Sequence, residues 1–383
     1  MAVTLLVTDR DCAVVGDPIG CWTDIEASIA FNTPGAGTFT ATAYPWVRDQ
    51  IDAAHRVVLI RDKEIFLAGP IEGYNISRSD DPADAGHGAI EVTWADDLSL
   101  IVARLGLADP SKPPEQQSAD AWTWTGNAER GLHALVNGNA GPGALAPRRV
   151  PRLVMGALAG VGTSVSGFSS VREPLGEVMR RLAAAGGGLG FRTTQVGRDI
   201  VFEVYAPADA SQQVRFGFGL GNLRELIFER SAPSATTAIV GGDDGGEPGA
   251  DSYILTRTDA AAEAMWGRRE VLVGRPGNDP VADLHEAGDL ELAESGEQIR
   301  LQTLAWETPD QRWPQHYDLG TRVSVAVDRR LEVVEAVRQV QLRARPNEGE
   351  QVALTIGSPD ASADPAWVKR IRALERKIAR RRR

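Results

Sequence analysis

Between Trp313 and Pro359 the chain is patterned with a period of two. Val323, Val325 and Val327 alternate with Ser324 and Ala326, the signature of a strand that buries one face and leaves the other small or polar. Gly320 sits just before this strand, after Tyr317-Asp318-Leu319, where a residue free to take positive φ suits a turn. The next run, Leu331 to Leu342, carries Val333, Val334, Val337 and Val340, a spacing that also fits a helix. β-branched side chains are stiff against a helical backbone and pack well on a pleated one, so the run predicts a second strand. Asn347-Glu348-Gly349-Glu350 then reads as a hairpin loop, and Val352, Leu354 and Ile356 as a third strand.

The rest of the composition agrees with a turn-rich β protein. There are 40 Gly and 22 Pro among 383 residues, which favours many short strands over long helices. The length allows two to four domains. No apolar run approaches the length of a membrane-spanning helix, and Met1 to Arg10 reads as a first strand rather than a signal peptide. Cys12 and Cys21 are the two cysteines. Their spacing permits a disulfide, but unpaired small core residues are the reading preferred, in keeping with assembly in a reducing cytoplasm.

Charge is unevenly spread. Nine of the 41 bases and one of the 52 acids, Glu375, lie in 366–383, leaving 32 bases against 51 acids elsewhere. An acidic body opposes a grip on nucleic acid, which needs a basic surface. The basic end comprises Lys369, Arg370, Arg372, Arg376, Lys377, Arg380, Arg381, Arg382 and Arg383. Within it Trp367, Ile371, Leu374 and Ile378 follow the spacing of a coiled-coil seam, though one too short to be stable alone. A self-associating or partner-docking helix is the preferred reading. A solvated basic tail and a DNA or membrane contact are its competitors.

Along the chain, residues 1–108 read as β-rich. A strand around Ile25–Phe31 leads to a turn at Thr33–Gly37 and a partner strand from Phe39. Val57 to Pro70 forms a hairpin with Asp62-Lys63 at its tip; Ile71 to Ser77 continues it, and a strand from Ile90 runs into a helix near Leu98–Leu105. Residues 109–205 change character. A Pro-rich polar loop precedes a helix that Asn127 can cap and Gly138 can end, with Leu132, Leu135 and Val136 as its apolar stripe. A second helix, Glu173 to Ala185, ends at Gly186-Gly187-Gly188, and two strands follow. From 206 onward β character returns, interrupted around 243–315 by an acidic glycine loop, a helix at Val281–Ser295 and a strand at Ile299–Trp306.

Chemistry-bearing motifs are scarce. Gly186 to Gly190 follows a helix and precedes a strand, the wrong order for a phosphate loop. The carboxylates of Asp243 to Asp251 lack the alternation of a calcium loop. His55, His87, His133, His285 and His316 are dispersed, and the Ser-rich run after Gly162 lacks a nucleophile elbow. No catalytic, metal or cofactor residue is therefore assigned, although carboxylates are too numerous for counting alone to dismiss a glycosidase pair.

Three ordered patches carry a resemblance. They are the order of strand, Pro-Gly-x-Gly, strand and Leu59-Ile-Arg-Asp…Phe66-Leu-Ala-Gly-Pro hairpin; the run Ala128 to Pro142 with Arg148 to Leu153; and Gly221-Asn222-Leu223, Val240-Gly-Gly and the closing Tyr317-Asp-Leu-Gly…Ile356-Gly-Ser-Pro. Together they resemble the siphophage minor tail protein, or tail hub, family of actinobacteriophages, and through it the baseplate hub of contractile phages. The resemblance implies an α+β, mainly β chain with two β-barrel-like tube domains, 1–108 and 206–358, the second with an internal insertion around 243–315. An α/β insertion at 109–205 completes it, and the residue pattern adds a basic C-terminal helix at 359–383. The resemblance further implies a structural, non-enzymatic virion protein at the tail tip, a homotrimer that adapts a six-fold tube to a three-fold tip. Its partners would be the distal tail protein ring, the tape measure protein, a downstream tip or fibre protein, and genomic DNA passing without specific binding. A tail-associated cell-wall hydrolase is the alternative, and a DNA-contacting tail component using the Arg-rich end a third reading.

Overall fold

A computed structural model of the chain describes residues 3–78, 87–243, 254–276, 281–296 and 298–357. It is mainly β, and it divides into two compact units: 1–225 with 303–357, and a second built on 226–302.

The first unit begins with β1 (Val3–Thr8), β2 (Trp22–Ala30), β3 (Thr33–Thr42), a single turn α1 (Pro45–Arg48), β4 (Arg56–Arg61), β5 (Glu64–Ser77), β6 (Ala89–Ala95) and α2 (Leu98–Val102). The strands pair antiparallel in the order β1-β4-β5-β6-β3-β2. The outer edge of β1 is met by its own following segment, Val15 N–H donating to Val7 O at 2.8 Å and Ile19 N–H to Leu5 O at 2.9 Å. Leu5, Ile25, Phe39, Leu59, Ile90 and Trp94 are fully buried, each worth about 1.5–3 kcal/mol over leaving it in water.

Here one expectation fails instructively. The turn between β2 and β3 is made at Phe31-Asn32, where Asn32 takes φ 55°, and Pro34 to Gly37 lie inside β3. The glycines serve packing instead of turning. A Cβ on Gly37 would stand 2.3 Å from the Trp94 ring, and one on Gly35 would stand 2.4 Å from Ser28 O. Likewise α2 stops at Val102, short of Leu105.

The α/β insertion follows with β7 (Trp122–Asn127), α3 (Ala128–Asn139), β8 (Leu153–Met155), β9 (Ser164–Ser170), α4 (Leu175–Ala185), β10 (Gly190–Val196) and β11 (Asp199–Tyr205). β8, β11 and β10 form one small sheet and β7 pairs β9. Asn127 caps α3 as expected, its side chain accepting from Arg130 N–H at 3.1 Å. The helix runs one residue past Gly138 and stops at Asn139. α4 begins at Leu175 behind Pro174, and positive φ at Gly187 and Gly188 turns the chain into β10. Leu132, Leu135, Val136, Val178, Met179 and Leu182 pack with Phe191 and Phe202 into one core, which also takes in Cys12, Leu98 and Ile101.

The remaining strands are β12 (Arg215–Phe216), β13 (Leu223–Ser231) and β17 (Gln298–Trp306), which straddle the ends of 226–302, then β18 (Arg322–Ala326), β19 (Glu332–Arg345) and β20 (Gly349–Ile356). The meander read from the valines is present: β18 pairs β19, and β19 pairs β20, all antiparallel. Gly320 adopts φ 82°. A Cβ there would lie 2.4 Å from the Phe31 ring, so close approach as well as backbone conformation demands glycine.

The second unit is a small α/β body of β14 (Thr237–Asp243), β15 (Ile254–Thr258), α5 (Ala260–Trp266), β16 (Glu270–Pro276) and α6 (Val281–Glu294). β14 is central, antiparallel to β15 and parallel to β16. α6 lies close on this sheet at Gly288, where a Cβ would stand 3.0 Å from Val240.

Candidate functional site

Two features of the first unit stand out, and both join segments far apart in sequence. The first is a backbone seam. Beyond its pairing with β18, β19 pairs β2 antiparallel, from Gln339 opposite Ala30 to Ala344 opposite Ile25. The opening β block and the closing meander are thereby one continuous sheet, running β1-β4-β5-β6-β3-β2-β19-β20-β17-β13. Ladder hydrogen bonds leave no polar edge at this join, and Ile25, Val340 and Leu342 are buried beside it.

The second is the loop from Glu307 to Thr321, which ties three blocks together. Arg61, at the end of β4, has a side chain only 4% exposed. Its Nε donates to Glu350 Oε1 at 2.5 Å, it pairs with Glu307, and Nη1 donates to Trp313 O at 3.2 Å. Burial alone would lower its pKa, but the hydrogen bonds and charges of Glu307 and Glu350 prevail and raise it. Glu307 Oε1 also accepts from Trp313 N–H at 2.7 Å, and the Trp313 ring meets Phe66 of β5 edge-on at 5.2 Å. Arg312 reaches Asp62, at the hairpin tip, at 2.7 Å.

On its other side the loop grips the insertion. Asp318 accepts from Arg192 at 2.5 Å and from the Trp313 indole at 3.3 Å, while Tyr205 O–H donates to Leu319 O at 3.1 Å. Burial pushes the Tyr205 hydroxyl pKa well up. It stays a neutral donor.

The insertion is also fastened to the opening block directly. Asn32 donates to Leu189 O at 2.9 Å and accepts from Phe191 N–H at 2.8 Å. Buried Arg56 pairs with Asp97 at 2.5 Å and donates to Thr8 Oγ1, Gln195 Oε1 and the Cys12 thiol. Burial raises the Asp97 carboxyl to about 6 despite Arg56, and raises Asp96 to about 7. Cys12 and Cys21 are free thiols, and burial pushes both pKa values up, the opposite of an activated nucleophile.

Among the described residues no three His, Cys, Asp or Glu side chains converge to hold a metal ion. One shallow depression of about 250 Å³ is lined by Arg130, His133, Ala134, Asn137, Met155 and Leu158. His133 is nearly buried, edge-on to Phe202 at 5.8 Å, with Nε2 unpartnered; burial lowers its pKa. It packs as a neutral ring beside no nucleophile. No described helix is long and apolar enough to cross a membrane. Residues 244–251 of the acidic loop lie outside the described residues. So do Trp367, Ile371, Leu374 and Ile378 and the whole basic patch from Lys369 to Arg383. The arginine clamps were not read from the sequence. Their one local signal is an arginine closing an otherwise apolar strand, Val57-Val58-Leu59-Ile60-Arg61.

Comparison with known proteins agrees on the architecture. The family described as Siphovirus ReqiPepy6 Gp37-like protein matches residues 4–358. No curated protein matches the sequence. Among solved structures, the tail protein from Neisseria meningitidis MC58 superposes with a TM-score of 0.54 at 15% identity, covering 94% of this chain and 97% of that one. The prophage MuSo2 43 kDa tail protein from Shewanella oneidensis gives 0.55 at 13% identity, covering 94% and 99%. At these identities the likeness is one of fold.

Proposed function

The chain belongs to the Siphovirus ReqiPepy6 Gp37-like protein family, and from that premise we propose that it is the hub of the tail tip. It is a phage-tail-like structural protein. We infer a homotrimer whose two tube modules per chain, 1–108 and 206–358, make a pseudo-six-fold ring. The ring faces the distal tail protein and tape measure protein above and a three-fold tip or fibre protein below, at the tip of the virion's tail. The 109–205 insertion and the insertion around 243–315 lie outside the ring-forming modules.

The observation that supports this most directly is the seam between β2 and β19. A chain that fills two of six positions must hold its two β blocks side by side at a fixed angle. A shared sheet does that with backbone hydrogen bonds, and the Arg61 clamp to Glu307 and Glu350 locks the block-to-block angle. Cyclic closure then needs only one repeated contact between chains. The acidic body fits a channel through which DNA slides without sticking, since like charge removes the phosphate grip. The role is mechanical, symmetry matching and channel closure, with no bond made or broken.

The mass of the full chain in solution, by light scattering, tests it, together with a version ending at Asp364. A trimer is the expected result. Its loss on truncation would assign assembly to the Trp367–Ile378 seam, and a monomer in both forms would count against the hub.

A further inference from the structure

Two arginines lie beside the end of α2, and neither has a carboxylate partner among the described residues. Arg104 follows α2, its N–H bonded to Ile101 O, and Arg148 closes the 3-10 turn Ala146–Arg148. Arg148 is fixed there: Nη2 donates to Leu105 O at 2.6 Å and to Asn139 Oδ1 at 3.2 Å, and Nε donates to Asn139 O at 3.3 Å. Every one of those acceptors is neutral. The Arg104 side chain has no hydrogen bond or ion pair among the described residues, and its Nε is buried without an acceptor. Burial lowers the pKa of both guanidiniums, and the charge of Arg104 lowers that of Arg148 further. Two like charges are thus held together, half out of water, with no carboxylate between them.

Two carboxylates on the adjoining segments are already engaged. Glu173 accepts from Ser170 and pairs with Arg181 at 3.2 Å, and Asp109 accepts from Ser111 and pairs with Lys112 at 3.4 Å. Such an arrangement costs stability unless an external anion completes it. A planar guanidinium with free N–H groups is matched to an oxyanion, which it can take two-pronged.

The surroundings select among oxyanions. Leu105 is 53% exposed and Val171 56% exposed, on segments joined by the Leu105–Pro174 bridge. A cationic pair flanked by exposed apolar side chains has the character of a protein-binding hot spot, not of a phosphate-tracking groove, which would call for further bases and stacking rings. The body of the chain is itself acidic.

We propose that Arg104 and Arg148 form a docking site for a carboxylate on another polypeptide, an Asp or Glu set among apolar residues, with Arg104 as the binding group and Arg148 as its anchored companion. Capture of that carboxylate removes the charge conflict, so the site is completed only on assembly.

The experiment uses the full chain and a short fluorescent peptide of alternating Glu and Leu, followed by anisotropy at fixed ionic strength. Arg104→Gln is expected to weaken binding about tenfold or more, the scale of one charge-assisted contact. Arg149→Gln, at an exposed arginine bonded to Ala144 O, is expected to leave it unchanged. Equal binding by both variants and the parent overturns the proposal, as does an absence of saturable binding. So does tighter binding of a single-stranded oligothymidylate that depends on Arg104, which would make this a nucleic-acid site. Thermal unfolding of Arg104→Met adds a check without ligand. An unchanged or raised Tm supports an externally directed charge, and a fall of several degrees makes Arg104 part of the internal structure and overturns it.

Discussion

Arg61 and Arg104 are both guanidiniums drawn out of water, and the chain treats them in opposite ways. Arg61 receives Glu350, Glu307 and the Trp313 carbonyl, drawn from segments 246 to 289 residues away. Arg104 receives no acceptor among the described residues. A buried charge with matched partners holds the fold together, whereas one without partners lowers stability and is left for something outside the chain. The contrast separates a side chain that holds the fold together from one left without an internal partner.

Substitution at Arg61 is the severest way to break that contrast. Arg61→Met would strand Glu350 and leave Glu307 only the Trp313 N–H and Arg312 at 3.9 Å; their side chains are 10% and 11% exposed. Removing one partner of a buried pair costs about 3–5 kcal/mol. Chemical denaturation at neutral pH should register a loss on this scale, with α3 and α4 unfolding in the same transition. A loss below about 1 kcal/mol, the range of surface pairs, would show that the clamp is dispensable.

Glu350→Gln is milder and sharpens the point. Glu350 Oε2 has no hydrogen-bond partner, so the amide oxygen can keep the bond to Arg61 while the charge is lost and a buried NH2 without an acceptor takes the place of Oε2. Glu307 still balances the guanidinium. A cost of about 1–2 kcal/mol is expected in the same denaturation experiment, on the scale of one charged hydrogen bond. If it matched Arg61→Met, the network would act as an indivisible unit.

The sequence carried these elements unequally. The valine alternation of 323–327, the Asn127 cap and the helix to Ala185 were readable because each is a local pattern, decided by side chains a few residues apart. Pro34 to Gly37 was misread because glycine signals both turns and close packing. Which role it takes here depends on Trp94, a residue far along the chain that folds over it. The β2–β19 seam was not legible, and the Arg61 clamp left only the faint signal of an arginine closing an apolar strand. A strand's outward edge is polar backbone whatever its sequence, so no residue type announces which strand it will join. Arg61 at a strand end likewise looks like any residue approaching solvent until Glu307 and Glu350 are brought over it. The family resemblance lay in the order of patches, which survives where single motifs are loose.

Asp96 is the mirror image of Arg104, and it gives the smallest and most conditional test. Its carboxylate accepts from Gly35 N–H at 2.8 Å, Oδ1 has no partner, and no base pairs with it among the described residues. Burial raises its pKa from 3.8 to about 7, with the neighbouring Asp97 charge pushing the same way and the Gly35 N–H opposing. A carboxyl that binds its proton more tightly in the fold stabilises the fold at pH below its unfolded value. That contribution is lost as pH rises through about 7. Asp96→Asn keeps an oxygen for the Gly35 N–H and never ionises. At pH 8 the variant should therefore melt a few degrees above the parent, about 1 kcal/mol for a body of this size. The advantage should narrow by pH 5, where the parent's Asp96 is largely protonated in the fold. Lower stability at both pH values would mean that the ionised carboxylate's bond to the Gly35 N–H outweighs its burial. An unpaired buried charge would then not by itself mark a site left open for a partner, and Arg104 would have to stand on its peptide binding alone.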